Sequence, residues 1–150
     1  MSSSFSFLRL WRYLSIYYLK PFDAVNDTIT SDLLLKFKWN NNYVEIGSGD
    51  GMFSYIMHGN SFPIWFDRYL NIDLGKKDIF ESNLDHFPNI KKKFEIRPKI
   101  SIDARKYHIL SLQKIGFSKK NIQSNYENIK YKNNSEKLVF FYTPHGLNSY

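Results

Sequence analysis

An α/β fold, with a mostly parallel sheet flanked by helices, is what this chain of 150 residues predicts. Three observations point there. A short apolar strand, Tyr43-Val44-Glu45-Ile46, runs straight into a loop with glycine at 47, 49 and 51. A second strand, Lys99 to Asp103, is followed by a helical stretch ending at Gly116. A third apolar run, Leu138-Val139-Phe140-Phe141-Tyr142, has the β-branched and aromatic content of a buried strand. Strands alternating with helices in this order make parallel pairs joined by right-handed crossovers.

Taken from the N-terminus, residues 5–19 repeat apolar positions near the helical period, and Pro21 is read as the stop. This helix packs an aromatic face on the domain. A second reading, drawn from Trp11, Arg9 and Arg12, is a helix in peripheral contact with a membrane surface. A short helix is expected from Leu33 to Phe37, opened by Thr30-Ser31-Asp32, and Asn40-Asn41-Asn42 is a turn. After the glycine loop, Met52 to His58 is helical in pattern, with Gly59 as its C-cap. Prolines 63, 88 and 98 break up residues 60–99, where a strand at Tyr69–Asp73 and a helix at Asp78–Leu84 are expected. Lys91-Lys92-Lys93 reads as a solvated surface. A helix follows from Arg105 to Lys114, Ile122 opens another strand, and Asn133-Asn134 is a loop. The expected organisation is a helical cap over 1–40 and one α/β domain over 41–150, with an insertion at about 60–99.

Composition narrows the chemistry. Apolar residues are 43% and charged residues 23%, which is a folding composition. The chain has no cysteine, so disulfides, thiolate metal sites and cysteine nucleophiles are excluded. Four scattered histidines give no metal-ligand spacing. There are 21 basic and 14 acidic residues, a net charge of +7. That balance permits attraction to anionic surfaces. The basic residues are dispersed apart from 91–93 with Arg97 and Lys99, and no nucleic-acid recognition module is present. No stretch reaches the roughly 20 apolar residues that span a bilayer, and no signal-peptide pattern opens the chain. A cytoplasmic protein is expected.

The glycine loop, Gly47-Ser48-Gly49-Asp50-Gly51, is the most informative segment. Glycine reaches positive φ without a steric penalty and lets a ligand approach the backbone. A strand end followed by a helix is where open α/β sheets bind ligands. A dinucleotide fingerprint, G-x-G-x-x-G, would need glycine at 52, where Met52 stands. A nicotinamide-binding domain is therefore the weaker alternative.

Glu45, Gly47, Gly49 and Gly51 match an acid-x-G-x-G-x-G pattern at every fixed position. In this the chain resembles the class I, Rossmann-like S-adenosylmethionine-dependent methyltransferases. The resemblance covers roughly residues 43–142 and fades in 60–99. It implies S-adenosyl-L-methionine as cofactor. The loop backbone, with Ser48, would lie close to the cofactor, and Glu45 near the loop and the cofactor's amino-acid part. An acid ending the second strand would bond the ribose. Asp103 is the candidate, with Asp73 as the competitor because Asp103 stands well beyond the usual spacing of about 20 residues. Asn125, where the family has Asp, and Tyr126 beside it would meet the adenine. His145 is the weak candidate for a base. The resemblance leaves the catalytic residues undefined.

The family's sheet has seven strands, and about four are accounted for here. The chain thus reads as a truncated N-terminal half, as a protein completed by a second chain, or as a relic that binds without transferring. The expected activity is methyl transfer to a small-molecule, lipid- or sugar-linked acceptor. The alternatives are a non-catalytic remnant that keeps a nucleoside-cofactor loop, and a basic binder of nucleic acid or membrane surfaces.

Overall fold

The computed structural model describes residues 5–41, 43–62, 90, 94–129 and 139–141. The expected elements at 69–73 and 78–84, the lysine run, the loop at 133–134, Asp73 and His145 lie outside them. The chain divides into two compact units, Met1–Trp39 with Met52–Asn89 and Asn40–Gly51 with Ile90–Tyr150.

The helical unit is built on α1 (Phe7–Tyr17), α2 (Pro21–Leu34) and α3 (Met52–Met57). Ser6 caps α1, its hydroxyl accepting from the Arg9 amide at 3.3 Å. The second helix differs from expectation. It begins at Pro21 and runs 14 residues, rather than covering 33–37. Proline has no amide hydrogen and its φ suits a first turn, so Pro21 starts α2 as well as ending the stretch before it. Packing then carries weak helix formers such as Thr28, whose hydroxyl bonds back to the Ala24 carbonyl at 2.7 Å. The two helices run antiparallel. Asp32, near the end of α2, accepts from the Ser6 amide at 2.9 Å and pairs with Arg9. Tyr13 is fully buried, stacked on Phe53 with ring centroids 6.0 Å apart. Its hydroxyl donates to the Phe53 carbonyl at 3.0 Å. Having one hydrogen, it must accept from Ser31, 2.6 Å away.

The other unit holds a parallel sheet of β1 (Val44–Ile46), β2 (Ile100–Asp103), β3 (Lys120–Gln123) and the short β4 (Val139–Phe141), with α4 (Lys106–Ile115). The strand order is β3-β2-β1-β4. Val44 pairs with Ile100 and Ile46 with Ile102, while Ile102 pairs with Ile122 on its other side. Side chains alternate across a strand, so these residues share one face, where Val44, Ile100 and Ile102 are buried together. Exposed Lys120 and Gln123 mark β3 as an edge. Gly116 closes α4 as expected, at φ +67°, its amide donating to the Leu112 carbonyl. Phe117 beyond it is buried, edge-on to Phe94 at 5.0 Å.

Candidate functional site

All strands of a parallel sheet end on one edge, and the site is built there. β1 ends at Ile46 and the chain turns through Gly47 at φ +71°, Gly49 at +56° and Gly51 at +82°. The turn is anchored on β2. The Ile102 carbonyl accepts from the Gly47 amide at 2.9 Å, the Ser48 amide at 3.2 Å and the Ser48 hydroxyl at 3.3 Å. The Gly51 amide donates to the Ser48 carbonyl at 3.1 Å.

The glycines answer different demands. A Cβ on Gly51 would overlap the side chain of Leu112, which is fully buried, so this position lets α4 come close. A Cβ on Gly49 would meet nothing within 4 Å. There the requirement is the left-handed backbone, and the space beside it is open.

Asp103 ends β2 and faces the loop. Its Oδ2 accepts from the Gly49 amide at 2.8 Å. Its Oδ1 accepts from the Arg105 amide at 2.9 Å and lies 3.0 Å from His108 Nδ1. Burial by itself pushes the carboxyl up, but the hydrogen bond and charge of His108, with the two backbone amides, outweigh it and hold Asp103 below its ordinary value. Asp103 is thus an anion near neutral pH. The bond to Arg105 is a local turn of the kind Asp makes before a helix. The bonds to Gly49 and His108 are not forced by that turn.

Glu45 lies one step deeper. It is 2% exposed, and its Oε2 accepts from the Ser101 hydroxyl at 3.3 Å. Register places Glu45 beside Ser101 and Ser101 beside Asn121. A polar row therefore crosses the face opposite the isoleucines. Asn121 Oδ1 in that row is buried and takes no hydrogen bond from the described residues. By alternation, Asp103 follows Ser101 on the same face.

Asn125 and Tyr126 follow β3, on the same sheet edge and one strand beyond Asp103. Asn125 precedes a 3-10 turn, Tyr126–Asn128, and Tyr126 is largely exposed. The structure thus joins Gly49 directly to Asp103, anchors Gly47 and Ser48 on β2, and seats Glu45 beneath them. Asn125 and Tyr126 share the edge without a hydrogen bond to the loop among the described residues. Sequence reasoning missed His108 and Ser101. An acid at a strand end with histidine in the first turn of the next helix was the available signal for His108. Ser101 was recognisable only through the β1–β2 register.

No family model, curated protein or solved structure matches the chain.

Proposed function

We propose that the sheet unit binds S-adenosyl-L-methionine and belongs to a class I, Rossmann-like methyltransferase or a fragment of one. The observation that carries this reading is the 2.8 Å bond between Gly49 of the acid-x-G-x-G-x-G loop and Asp103 at the end of the neighbouring strand. The strand order supports it. In an order of β3-β2-β1-β4, the chain reverses direction across the sheet beside β1, and ligands of open α/β sheets bind at such a point.

Each carboxylate oxygen offers about two lone pairs. With two donors on Oδ1 and one on Oδ2, Asp103 keeps room on Oδ2 for one ribose hydroxyl; a second would share with a protein donor. The open space at Gly49 takes the approach of the cofactor, and Asn125 with Tyr126 borders the adenine. Methyl transfer is an in-line displacement at the sulfonium methyl, for which the protein supplies position and exclusion of water. The acceptor is a small molecule or a lipid- or sugar-linked group.

Isothermal titration of the folded protein with S-adenosylhomocysteine tests the reading. Binding is expected, weakened about tenfold in Asp103→Asn by loss of a charged acceptor. No heat on folded protein overturns the proposal, and binding of NADH instead selects a nicotinamide domain.

A further inference from the structure

The helical unit carries a surface that the nucleoside-binding reading does not use. In α1 the residues turned to solvent are Phe7, Leu8 and Trp11, and the chain continues with exposed Tyr18, Leu19 and, at the start of α2, Phe22. Phe7 is 77% exposed and Phe22 82%. At 100° per residue, Phe7, Leu8, Trp11 and Tyr18 fall within one apolar stripe of α1. Arg9 is drawn the other way, into its pair with Asp32, while Ser15, within the same arc, is buried and donates to the Arg12 carbonyl at 2.7 Å. Lone exposed apolar residues are ordinary, but a clustered aromatic stripe marks an interaction surface.

The surrounding charge indicates the partner. Among residues 5–39, the exposed charged side chains are Lys20, Lys36 and Lys38, with Arg12 half-buried, while Asp27 is buried and Asp23 and Asp32 are partly so. The antiparallel hairpin puts Lys20 at one end of the stripe and the other two lysines toward the opposite end. Rings with a polar edge, such as Trp and Tyr, settle at the boundary between headgroups and acyl chains. Lysines beside them meet anionic headgroups. A second copy laid face to face would bring like charges together. No helix among the described residues is long and apolar enough to cross a membrane.

We infer that the α1–α2 hairpin docks flat on an anionic lipid surface, with Phe7, Leu8, Trp11, Tyr18, Leu19 and Phe22 entering the headgroup layer. Co-sedimentation with vesicles of phosphatidylcholine and phosphatidylserine, against phosphatidylcholine alone, tests this. The full chain should partition onto the anionic vesicles. Phe7→Ser with Trp11→Ser should lower that partitioning about tenfold or more, with circular dichroism unchanged. Lys36→Glu with Lys38→Glu changes two exposed side chains beyond the end of α2 and should sharply reduce the preference for phosphatidylserine, which keeps the test decisive if the first variant misfolds. Failure of the wild-type chain to bind anionic vesicles overturns the inference, as does binding unchanged in both variants. A dimer in sedimentation velocity that the serine variant dissociates, without vesicle binding, assigns the stripe to a second copy instead.

Discussion

In the helical unit, several polar groups are inside while several rings are outside. Tyr13, Thr28 and Ser31 are fully buried, while Phe7, Trp11 and Phe22 face water. In the sheet unit, Val44, Ile100 and Ile102 close one face, and the carboxylate of Glu45 is buried on the other. Both units therefore bury polar atoms, but by different routes. In the hairpin, side chains satisfy one another across two neighbouring helices. In the sheet, Ser101 reaches Glu45, and the loop reaches Ile102 and Asp103, across more than 50 residues of sequence, as the 54-residue span from Gly49 to Asp103 shows. The hairpin thus draws mostly on its own segment, with Tyr13 alone among these groups reaching Phe53 on α3, and the loop draws on a partner strand far along the chain.

This contrast can be broken from either side. The largest effect is expected at Gly51. Gly51→Ala combines left-handed backbone strain with overlap on buried Leu112 and should cost about 3 to 4 kcal/mol in urea unfolding. Gly49→Ala has open space and should cost only about 1 to 2 kcal/mol, from backbone alone. Equal costs would mean that the helix does not press on the loop.

In the helical unit the main lever is acid. Burial, with the nearby Arg9 charge, pushes the His58 imidazole down to about 4. The unfolded chain then binds the proton more readily than the folded one between that value and the ordinary 6.5. Stability should fall as pH drops through this window, by up to about 3 kcal/mol. A series of denaturation curves checks this, and His58→Gln should flatten the response.

Tyr13→Phe removes the hydroxyl that joins Ser31 to the Phe53 carbonyl and should cost about 2 kcal/mol by the same measurement. Burial raises Tyr13's own ionisation well above normal, with the Ser31 hydrogen bond opposing it. The phenol should accordingly resist ionisation in a spectrophotometric titration.

The smallest effect belongs to Asp103. Its carboxyl is held low by its donors, so the stability it adds is present above the ordinary carboxylate range and lost as pH falls through the lowered value. Asp103→Asn should cost about 1 kcal/mol at neutral pH and reduce the acid sensitivity below pH ~4.

Legibility in the sequence followed the range of the cause. Alternating strands and the αL stop at Gly116 are local signals, and β1, β2 and α4 appear where apolar runs and the cap point, whereas β3 runs Lys120–Gln123, so Ile122 lies near its end rather than opening it. The second helix departs from its expected place because Pro21 carries two meanings and because Asn26, Thr28 and Thr30 look unhelical until α1 packs beside them. Glycines 47, 49 and 51 announced a tight turn. Their division of labour was hidden, because it depends on Leu112. The burial of Glu45 and its bond to Ser101 came from strand register, which no local pattern encodes. His108 escaped notice because its ring matters through Asp103 rather than through any spacing of its own.

The Ile102 carbonyl, which collects three donors from Gly47 and Ser48, has a kinetic consequence. The turn gains its shape only once the chain has closed a long excursion and laid the second strand against the first, a slow, non-local event. Until then those glycines belong to an open ensemble. Anything that grips the finished turn therefore also holds the two strands together by mass action, and raises the melting temperature of that half of the molecule as its concentration rises.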